Sequence, residues 1–239
     1  YYVIITMLYI ILERKIMKKI LFNKYLDENI KRNEALISYY SKEDLNNSYI
    51  VKFTNNEFIQ QENHEMPFLY FIIQGKAKIL KNQANGKRMI LQFLKEKDFI
   101  GDLTVIGAEK MTKDVMSIGD TICLATPIDY VAKTLMEDRF FLKIVGKYIG
   151  EKLLTRMDFF VDNQTYELKY RLAEVMLAAS INDVYKENHL QIAEYLGVSY
   201  RHLLHTIKKF KDEKKISKKG SEYILDREKL KQLIKEKNN

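Results

Sequence analysis

The spacing of apolar residues changes twice along this chain of 239 residues. From Tyr49 to about Leu124, short runs such as "FLYFIIQGKAKILK" and "KRMILQFL" alternate apolar and polar residues, which predicts strands separated by turns. Asn85 and Gly86 lie between two such runs, and because both tolerate positive φ they predict a β-hairpin. Residues 18–40 have apolar residues at helical spacing, so one or two short helices are expected there.

A long helix is predicted after the strand region. From Asp138 to Asn163 apolar residues recur at spacings of three and four, which describes one amphipathic helix. Its apolar stripe can pack against a second copy of the chain or against the chain's own β domain, and we favour the second copy. The predicted dimer-helix residues are Phe141, Leu142, Val145, Ile149, Leu153, Met157 and Phe160.

The stretch "IAEYLGVSYRHLLHTIKKF", residues 192–210, predicts a helix-turn-helix. Gly197 can end the first helix, and Ser199 can cap the second through a free backbone N–H. The inward face of the second helix is predicted to comprise Leu203, Ile207 and Phe210. The following "KKISKKGSEYIL" predicts a β-turn wing, after which a closing helix is expected.

The outward face of the second helix carries the chemistry for reading DNA. Arg201 can donate two hydrogen bonds to guanine O6 and N7, and His205 follows one turn later. The predicted base-reading residues are Tyr200, Arg201 and His205. Predicted phosphate and wing contacts are Ser199, His202, Lys208, Lys209, Lys218, Lys219 and Ser221. The alternative is a helix pair whose charged face is only solvated.

Charge is concentrated at the C-terminal end. Of the formal net charge of +8, the last forty residues contribute +7 and the other 199 residues +1. A basic end on a nearly neutral body is expected where one domain meets phosphate, so double-stranded DNA is the predicted partner. A lysine-rich tail that only aids solubility is the alternative.

The cysteine count, the catalytic motifs that are absent and the N-terminal segment limit the classes of function. Cys123 is the only cysteine, so the chain cannot form an internal disulfide, a zinc ribbon or a four-cysteine iron–sulfur cluster, and no metal site is expected. No catalytic residues are assigned, because the H-E-x-x-H, P-loop and G-x-S-x-G motifs are absent. The apolar run at residues 1–12 is shorter than a bilayer span, and we expect residues 1–16 to lie upstream of a natural start at Met17.

The order of these parts resembles the Crp/Fnr family of bacterial transcription regulators. The segments that carry the resemblance are "FLYFIIQGKAKIL", "NGKRMILQFL", "DFIGDL" and "QIAEYLGVSYRHLLHTIKKFKDEKKI", and "AEYLGVSYRHLL" is similar to the YeiL-like subgroup. The resemblance implies an α+β fold with a cyclic-nucleotide-binding-like β-roll (a jelly roll), a long dimerisation helix and a winged helix-turn-helix. The corresponding boundaries are 1–44 for an N-terminal helical segment, 45–137, 138–165 and 166–239.

The resemblance also implies a function. It implies a cytoplasmic homodimer that inserts two recognition helices into a near-palindromic site, with RNA polymerase as a further candidate partner. The family's usual Arg-Glu at the helix tip is replaced here by Tyr200 and Arg201, so a different target sequence is expected.

The sensor half departs from the cyclic-nucleotide-binding members. Those members place an acidic Glu on the ribose and an Arg-Ser/Thr pair on the cyclic phosphate, whereas this chain has Asp102 and Met111-Thr112. Methionine cannot neutralise a phosphate, which argues against cyclic AMP as a cofactor. The expected pocket residues for an unidentified effector are Gly101, Asp102, Leu103, Met111, Thr112 and Lys113. A sensor without any ligand, or a cyclic-nucleotide-binding module that regulates a partner protein, remains the alternative.

Overall fold

The computed structural model describes residues 38–237. The suggested start at Met17 and all but the end of the helical segment predicted over residues 18–40 lie outside the described residues. The described part divides into an N-terminal β-roll, one long helix and a C-terminal helical domain with a small sheet. The α+β class and the order of the parts predicted from the sequence are therefore confirmed.

The β-roll is an antiparallel structure with two long strands at its centre. Its elements are helix Lys42–Asn46 (α1) and strands Tyr49–Phe53 (β1), Phe58–Gln60 (β2), Phe68–Asn82 (β3), Arg88–Leu94 (β4), Phe99–Ile100 (β5) and Asp114–Pro127 (β6). The sheet order is β1-β6-β3-β4, with β2 paired to β6 and β5 paired to β3. The register of β3 against β6 shifts between Ile72 and Gln74 and again across Gly75, where a Cβ atom would lie 2.5 Å from the carbonyl oxygen of Asp120. Only glycine fits at this bend.

The predicted hairpin joins β3 to β4. Asn82 pairs with Arg88, and the backbone N–H of Gln83 donates to the carbonyl of Lys87 at 2.7 Å. The loop therefore spans residues 83–87. Of the Asn85-Gly86 pair only Gly86 adopts positive φ, at 79°. The Asn85 side chain instead accepts a hydrogen bond from the Lys87 N–H at 3.1 Å.

The long helix begins where the sequence predicts. After Asp102–Val105 (α2), Ile128–Lys133 (α3) and a 3₁₀ turn at Leu135–Glu137, helix Arg139–Thr165 (α4) runs for 27 residues. The Asp138 side chain caps it by accepting from the Phe140 N–H at 2.9 Å.

One face of α4 packs on the β-roll of the same chain. Phe141 and Val145 are buried in an apolar cluster with Phe71, Phe99 and Leu124. The prediction that these two residues form the dimer surface is therefore wrong, because α4 has apolar residues on two faces and these lie on the inner one. Ile149 is half-buried against the same cluster.

The C-terminal domain is a winged helix-turn-helix. It contains helix Leu168–Ala179 (α5), strand Val184–Tyr185 (β7), helices His189–Tyr195 (α6) and Tyr200–Asp212 (α7), strands Ile216–Lys219 (β8) and Glu222–Leu225 (β9), and helix Arg227–Glu236 (α8). The three strands form one sheet in the order β7-β9-β8. Leu172, Met176, Tyr185, Leu203 and Phe210 fill the domain's core. Within residues 38–237, no helix has the length and apolarity needed to cross a bilayer.

Candidate nucleic-acid interface and effector pocket

The turn between α6 and α7 has the predicted geometry. Gly197 adopts φ of 64°, and its N–H donates to the carbonyl of Glu194 at 3.1 Å, which ends α6. The Ser199 hydroxyl accepts from the His202 N–H at 3.2 Å and caps α7. Arg171 of α5 stabilises this turn, because its Nη1 donates to the carbonyl of Leu196 at 2.9 Å.

Helix α7 separates a buried face from a charged one. Leu203, Ile207 and Phe210 are buried, as predicted, and Thr206 joins them with its hydroxyl bonded to the carbonyl of His202 at 3.1 Å. The side chains predicted to face outward are exposed; they are Tyr200, Arg201, His202, His205, Lys208 and Lys209. The helix therefore presents its donors to solvent along its whole length.

The wing lies beside the beginning of α7. Strands β8 and β9 are joined at Gly220 and Ser221, with Lys219 opposite Glu222, and Gly220 has φ of 61°. Lys218, Lys219 and Ser221 are exposed, as expected for a wing. An open groove separates this wing from α7 and the start of α6. The residues along it include Leu190, Tyr200, Leu204, Lys218, Ser221 and Tyr223. Leu190 and Leu204 were not anticipated from the sequence.

The exposed cations of this surface are available to an external anion. Within the part of the chain described, Arg201, Lys208, Lys209, Lys218 and Lys219 form no salt bridge. His189 lies at the same groove, and burial, aided by the positive charge of Lys218, lowers the pKa of its imidazole. The ring is therefore neutral at pH 7, and the positive charge of the groove comes from lysine and arginine.

The helix-turn-helix is fixed to the β-roll by buried polar contacts. Lys78 of β3 forms a salt bridge with Glu187 at 2.6 Å, and both side chains are less than one-tenth exposed. Lys76 of the same strand donates to the carbonyls of Leu177 and Ser180 at 2.9 and 2.7 Å, which places a cation at the C-terminal end of α5. No local sequence pattern could point to these contacts, because the partners are about a hundred residues apart.

Aromatic contacts complete this junction. Tyr195 of α6 stacks on Phe159 of α4, with ring centroids 4.5 Å apart, and meets the edge of Phe93 of β4 at 5.4 Å. The amide of Gln191 donates to the carbonyl of Arg88 at 3.1 Å. The β-roll, α4 and the helix-turn-helix thus meet at one residue, Tyr195.

In the expected effector pocket, the acidic residue is already paired. The two carboxylate oxygens of Asp102 each lie 2.9 Å from Nζ of Lys152, which projects from α4. The exposed fractions of the two side chains are 5% and 7%. A side chain of this chain therefore satisfies Asp102, and the sequence did not point to Lys152.

Most of the remaining pocket residues also contact other residues of the chain. Met66 packs on Gly101, where a Cβ atom would lie 2.1 Å from its sulfur. The Thr112 hydroxyl bonds to the side-chain amide of Gln60 at 3.1 Å, and Lys113 pairs with Glu109. Met111 points into solvent with 52% of its surface exposed, and Leu103 is half-buried. The cavity between these residues has a volume of about 30 Å³, which is the share of one water molecule in the liquid.

The outer face of α4 is apolar and exposed. Of the predicted dimer-helix residues, Leu142, Leu153, Met157 and Phe160 lie on this face, with Phe160 65% exposed. Leu154 and Val161 extend it. Gly146 and Gly150 have open space beside their Cα atoms, so this face is also accessible near its middle.

Two known domain families match the chain. The cyclic nucleotide-binding domain matches residues 50–138, and the Crp-like helix-turn-helix domain matches residues 170–233. Regulatory protein YeiL of Escherichia coli O157:H7 is 31% identical over 173 residues, which cover 72% of this chain and 79% of YeiL. The cAMP-activated global transcriptional regulator CRP of Salmonella typhimurium is 28% identical over 86 residues, 36% of this chain and 40% of CRP.

Solved structures share the fold. A transcriptional regulator of the Crp/Fnr family from Eubacterium rectale superposes with a TM-score of 0.66 at 16% identity, over 84% of this chain and 97% of that one. A CRP/FNR-family regulator from Thermus thermophilus gives a TM-score of 0.61 at 18% identity, over 79% and 99% of the two chains. At these identities the likeness concerns the fold alone.

Proposed function

This chain belongs to the Crp/Fnr family of DNA-binding transcription regulators, and we propose that it acts as a homodimer on a near-palindromic operator without a cyclic-nucleotide effector. The observation that carries the proposal is the contrast between its two candidate sites. Arg201, Lys208, Lys209, Lys218 and Lys219 form no salt bridge within the described residues, whereas the acid of the effector pocket is buried against Lys152.

The proposed reading head is α7 with its wing. Arg201 is exposed near the N-terminal end of the helix, which enters the major groove deepest, and its guanidinium suits guanine O6 and N7. Tyr200 and His205 are the other proposed base-reading residues. Lys208, Lys209, Lys218 and Lys219 are proposed to contact phosphates, with Ser199, His202 and Ser221 beside them.

The proposed dimer surface is the outer face of α4. Leu153, Met157 and Phe160 are each more than half exposed, which is unfavourable in water and is relieved when a second copy covers them. Helix α4 runs from the β-roll to the helix-turn-helix, so pairing along it brings two reading heads together. The interface is isologous, as in most homodimers.

The effector pocket supports a regulator that needs no nucleotide. Pockets that hold a small molecule have volumes of about 300 Å³ or more, roughly ten times the cavity at Asp102. A cyclic nucleotide would have to displace Met66 and break the Asp102–Lys152 pair before it could enter. Met111 carries no charge that could neutralise the phosphate of the nucleotide.

Selection of bound duplexes from a random pool tests the DNA proposal. We expect a two-fold-related site whose half-sites are one helical turn, about 34 Å, apart. Arg201→Ala should cost about 1–3 kcal/mol at one base pair of each half-site, and Lys219→Ala should weaken all sequences alike. Lys133 is an exposed lysine on α3 of the β-roll, so Lys133→Ala is the control. It should change neither the base preference nor the overall affinity for DNA. Failure to enrich any sequence would contradict the proposal.

Sedimentation of the full chain tests the dimer. Met157→Glu should shift the protein toward monomer and weaken operator binding, because two carboxylates would face each other across the two-fold axis. Lys147→Glu is the matched control, since Lys147 lies about 80° around α4 from Met157 and 73% of its side chain is exposed. A Met157→Glu protein that remains dimeric would refute this interface.

Equilibrium dialysis with cyclic AMP and cyclic GMP tests the closed pocket. We expect no saturable binding at ligand concentrations up to the millimolar range typical of weak sites. Tight binding would favour the second candidate function, a cyclic-nucleotide-binding module that regulates a partner protein.

A further inference from the structure

An exposed apolar patch lies within the basic surface of the helix-turn-helix. It consists of Tyr200 and Leu204, one turn apart on α7, and Leu190 at the start of α6; their exposed fractions are 47%, 38% and 55%. All three border the groove between α7 and the wing. We call these three residues the apolar patch.

The apolar patch has no role in the core of its own domain. Leu203, Thr206, Ile207 and Phe210 already fill the inward face of α7. With about 100° of rotation per residue, Leu204 lies roughly 60° from Arg201 and about 100° from the buried Leu203. Leu204 therefore belongs to the outward surface that carries Arg201 and His205.

The charges around the patch indicate what covers it. Arg201, Lys208 and Lys218 surround it and form no salt bridge within residues 38–237, while the nearby acid Glu187 is already paired with Lys78. A polyanion suits such a border better than the apolar surface of another protein does. In the major groove of DNA, the one exposed apolar group on a base is the C5-methyl of thymine.

We propose that Leu204, supported by the ring of Tyr200, packs on a thymine methyl group and so specifies a thymine in each half-site. This inference rests on the proposed DNA-binding function. Leu204 supplies no hydrogen bond, so it distinguishes thymine by its methyl group and not by its O4 acceptor. The neighbouring Arg201 supplies the polar reading of guanine.

Deoxyuridine provides a direct test, because it keeps the pairing and O4 of thymine and lacks only the methyl group. In the selected operator, one thymine at a time is replaced by deoxyuridine, first in one half-site and then at the equivalent position of both. The affinity of the full chain for each duplex is then measured. Burying one methyl group contributes about 0.8 kcal/mol, so deoxyuridine at the contacted thymine of one half-site should weaken operator binding about fourfold. The same replacement in both half-sites should weaken operator binding roughly fifteenfold.

The variant Leu204→Ala should bind the thymine and deoxyuridine duplexes equally well. Lys209→Ala is the matched control on the same helix, and it should weaken both duplexes while it keeps their ratio. Because Leu204 is exposed and alanine favours helix, the variant is expected to fold, which circular dichroism checks.

The outcomes separate this inference from the function on which it rests. No binding to any selected duplex would overturn the proposed function and the inference with it. Binding without a deoxyuridine effect would overturn the inference alone, because Leu204 would then not read a methyl group. A deoxyuridine effect that persists in Leu204→Ala would also overturn it, because another residue would then read the methyl group.

Discussion

The buried pair of Asp102 and Lys152 offers the sharpest test of the proposal that the effector pocket is closed by the chain's own residues. In Lys152→Met, an apolar side chain of similar length replaces the amine, and the carboxylate of Asp102 loses the partner that both its oxygens contact at 2.9 Å. The side chain of Asp102 is only 5% exposed, so bulk water can replace little of the lost contact without opening the pocket. The variant therefore leaves a charge buried without a partner.

The magnitude follows from this burial. Removing one partner of a buried ion pair costs about 3–5 kcal/mol, whereas an exposed pair contributes about 0–1 kcal/mol. Lys147→Met is the matched control, since Lys147 lies on the same helix and its pair with Glu151 is 73% and 62% exposed. The double variant Lys152→Met with Asp102→Asn should recover much of the loss, because the remaining amide carries no charge.

Urea unfolding at a fixed protein concentration measures the loss. The chain has 16 tyrosines and no tryptophan, so far-ultraviolet circular dichroism and tyrosine fluorescence are the probes. With a urea dependence of about 2–3 kcal/mol per molar, the midpoint should fall by on the order of 1–2 M in Lys152→Met and hardly change in Lys147→Met. Equal midpoints for the two variants would refute the argument that the pocket is closed by its own ion pair.

Three further predictions use other buried groups. Lys78→Met should lower the free energy of unfolding by about 3–5 kcal/mol and loosen the helix-turn-helix from β3, as measured by hydrogen exchange in α6, whereas Lys87→Met at the exposed pair with Glu194 should not. Burial raises the pKa of the Cys123 thiol, so Ellman's reagent should label it only after unfolding. Burial also raises the pKa of the Asp98 carboxyl above 3.8, so the free energy of unfolding of the native chain falls as pH rises through that pKa. Asp98→Asn lacks this titration, so its stability relative to the native chain should increase from acid toward neutral pH.

Each of these three results has a clear contradiction. Equal exchange in the Lys78 and Lys87 variants would mean that the junction does not depend on the buried pair. Fast labelling of native Cys123 would mean that β6 opens readily. Parallel pH profiles for Asp98→Asn and the native chain would mean that this carboxyl titrates as in the unfolded state.

Local patterns in the sequence predicted the elements well. The α7 faces followed from the spacing of Leu203, Ile207 and Phe210, and the turn followed from Gly197 and Ser199. In these cases the interacting residues are close in the chain, so periodicity and capping rules act directly on them.

Contacts between distant residues could not be predicted. Lys152 and Asp102 are 50 residues apart, and Lys78 and Glu187 are 109 apart, so no spacing rule relates them. Helix α4 shows the same limit in another form: an apolar residue recurs on both its inner and its outer face. Periodicity alone therefore could not separate Phe141, which packs inside the chain, from Phe160, which does not.

In the dimer that we propose, the two buried ion pairs bear on how the two recognition helices are held. Lys152 joins α4 to the β-roll through Asp102, and Lys78 joins the β-roll to the loop before α6 through Glu187. Two recognition helices can occupy successive major grooves only if their separation is fixed near one helical turn of DNA. Here the ammonium group of Lys152 occupies the acidic end of the pocket. If the proposed dimer reads two half-sites, loss of either ion pair should weaken operator binding more than it weakens binding of single half-sites.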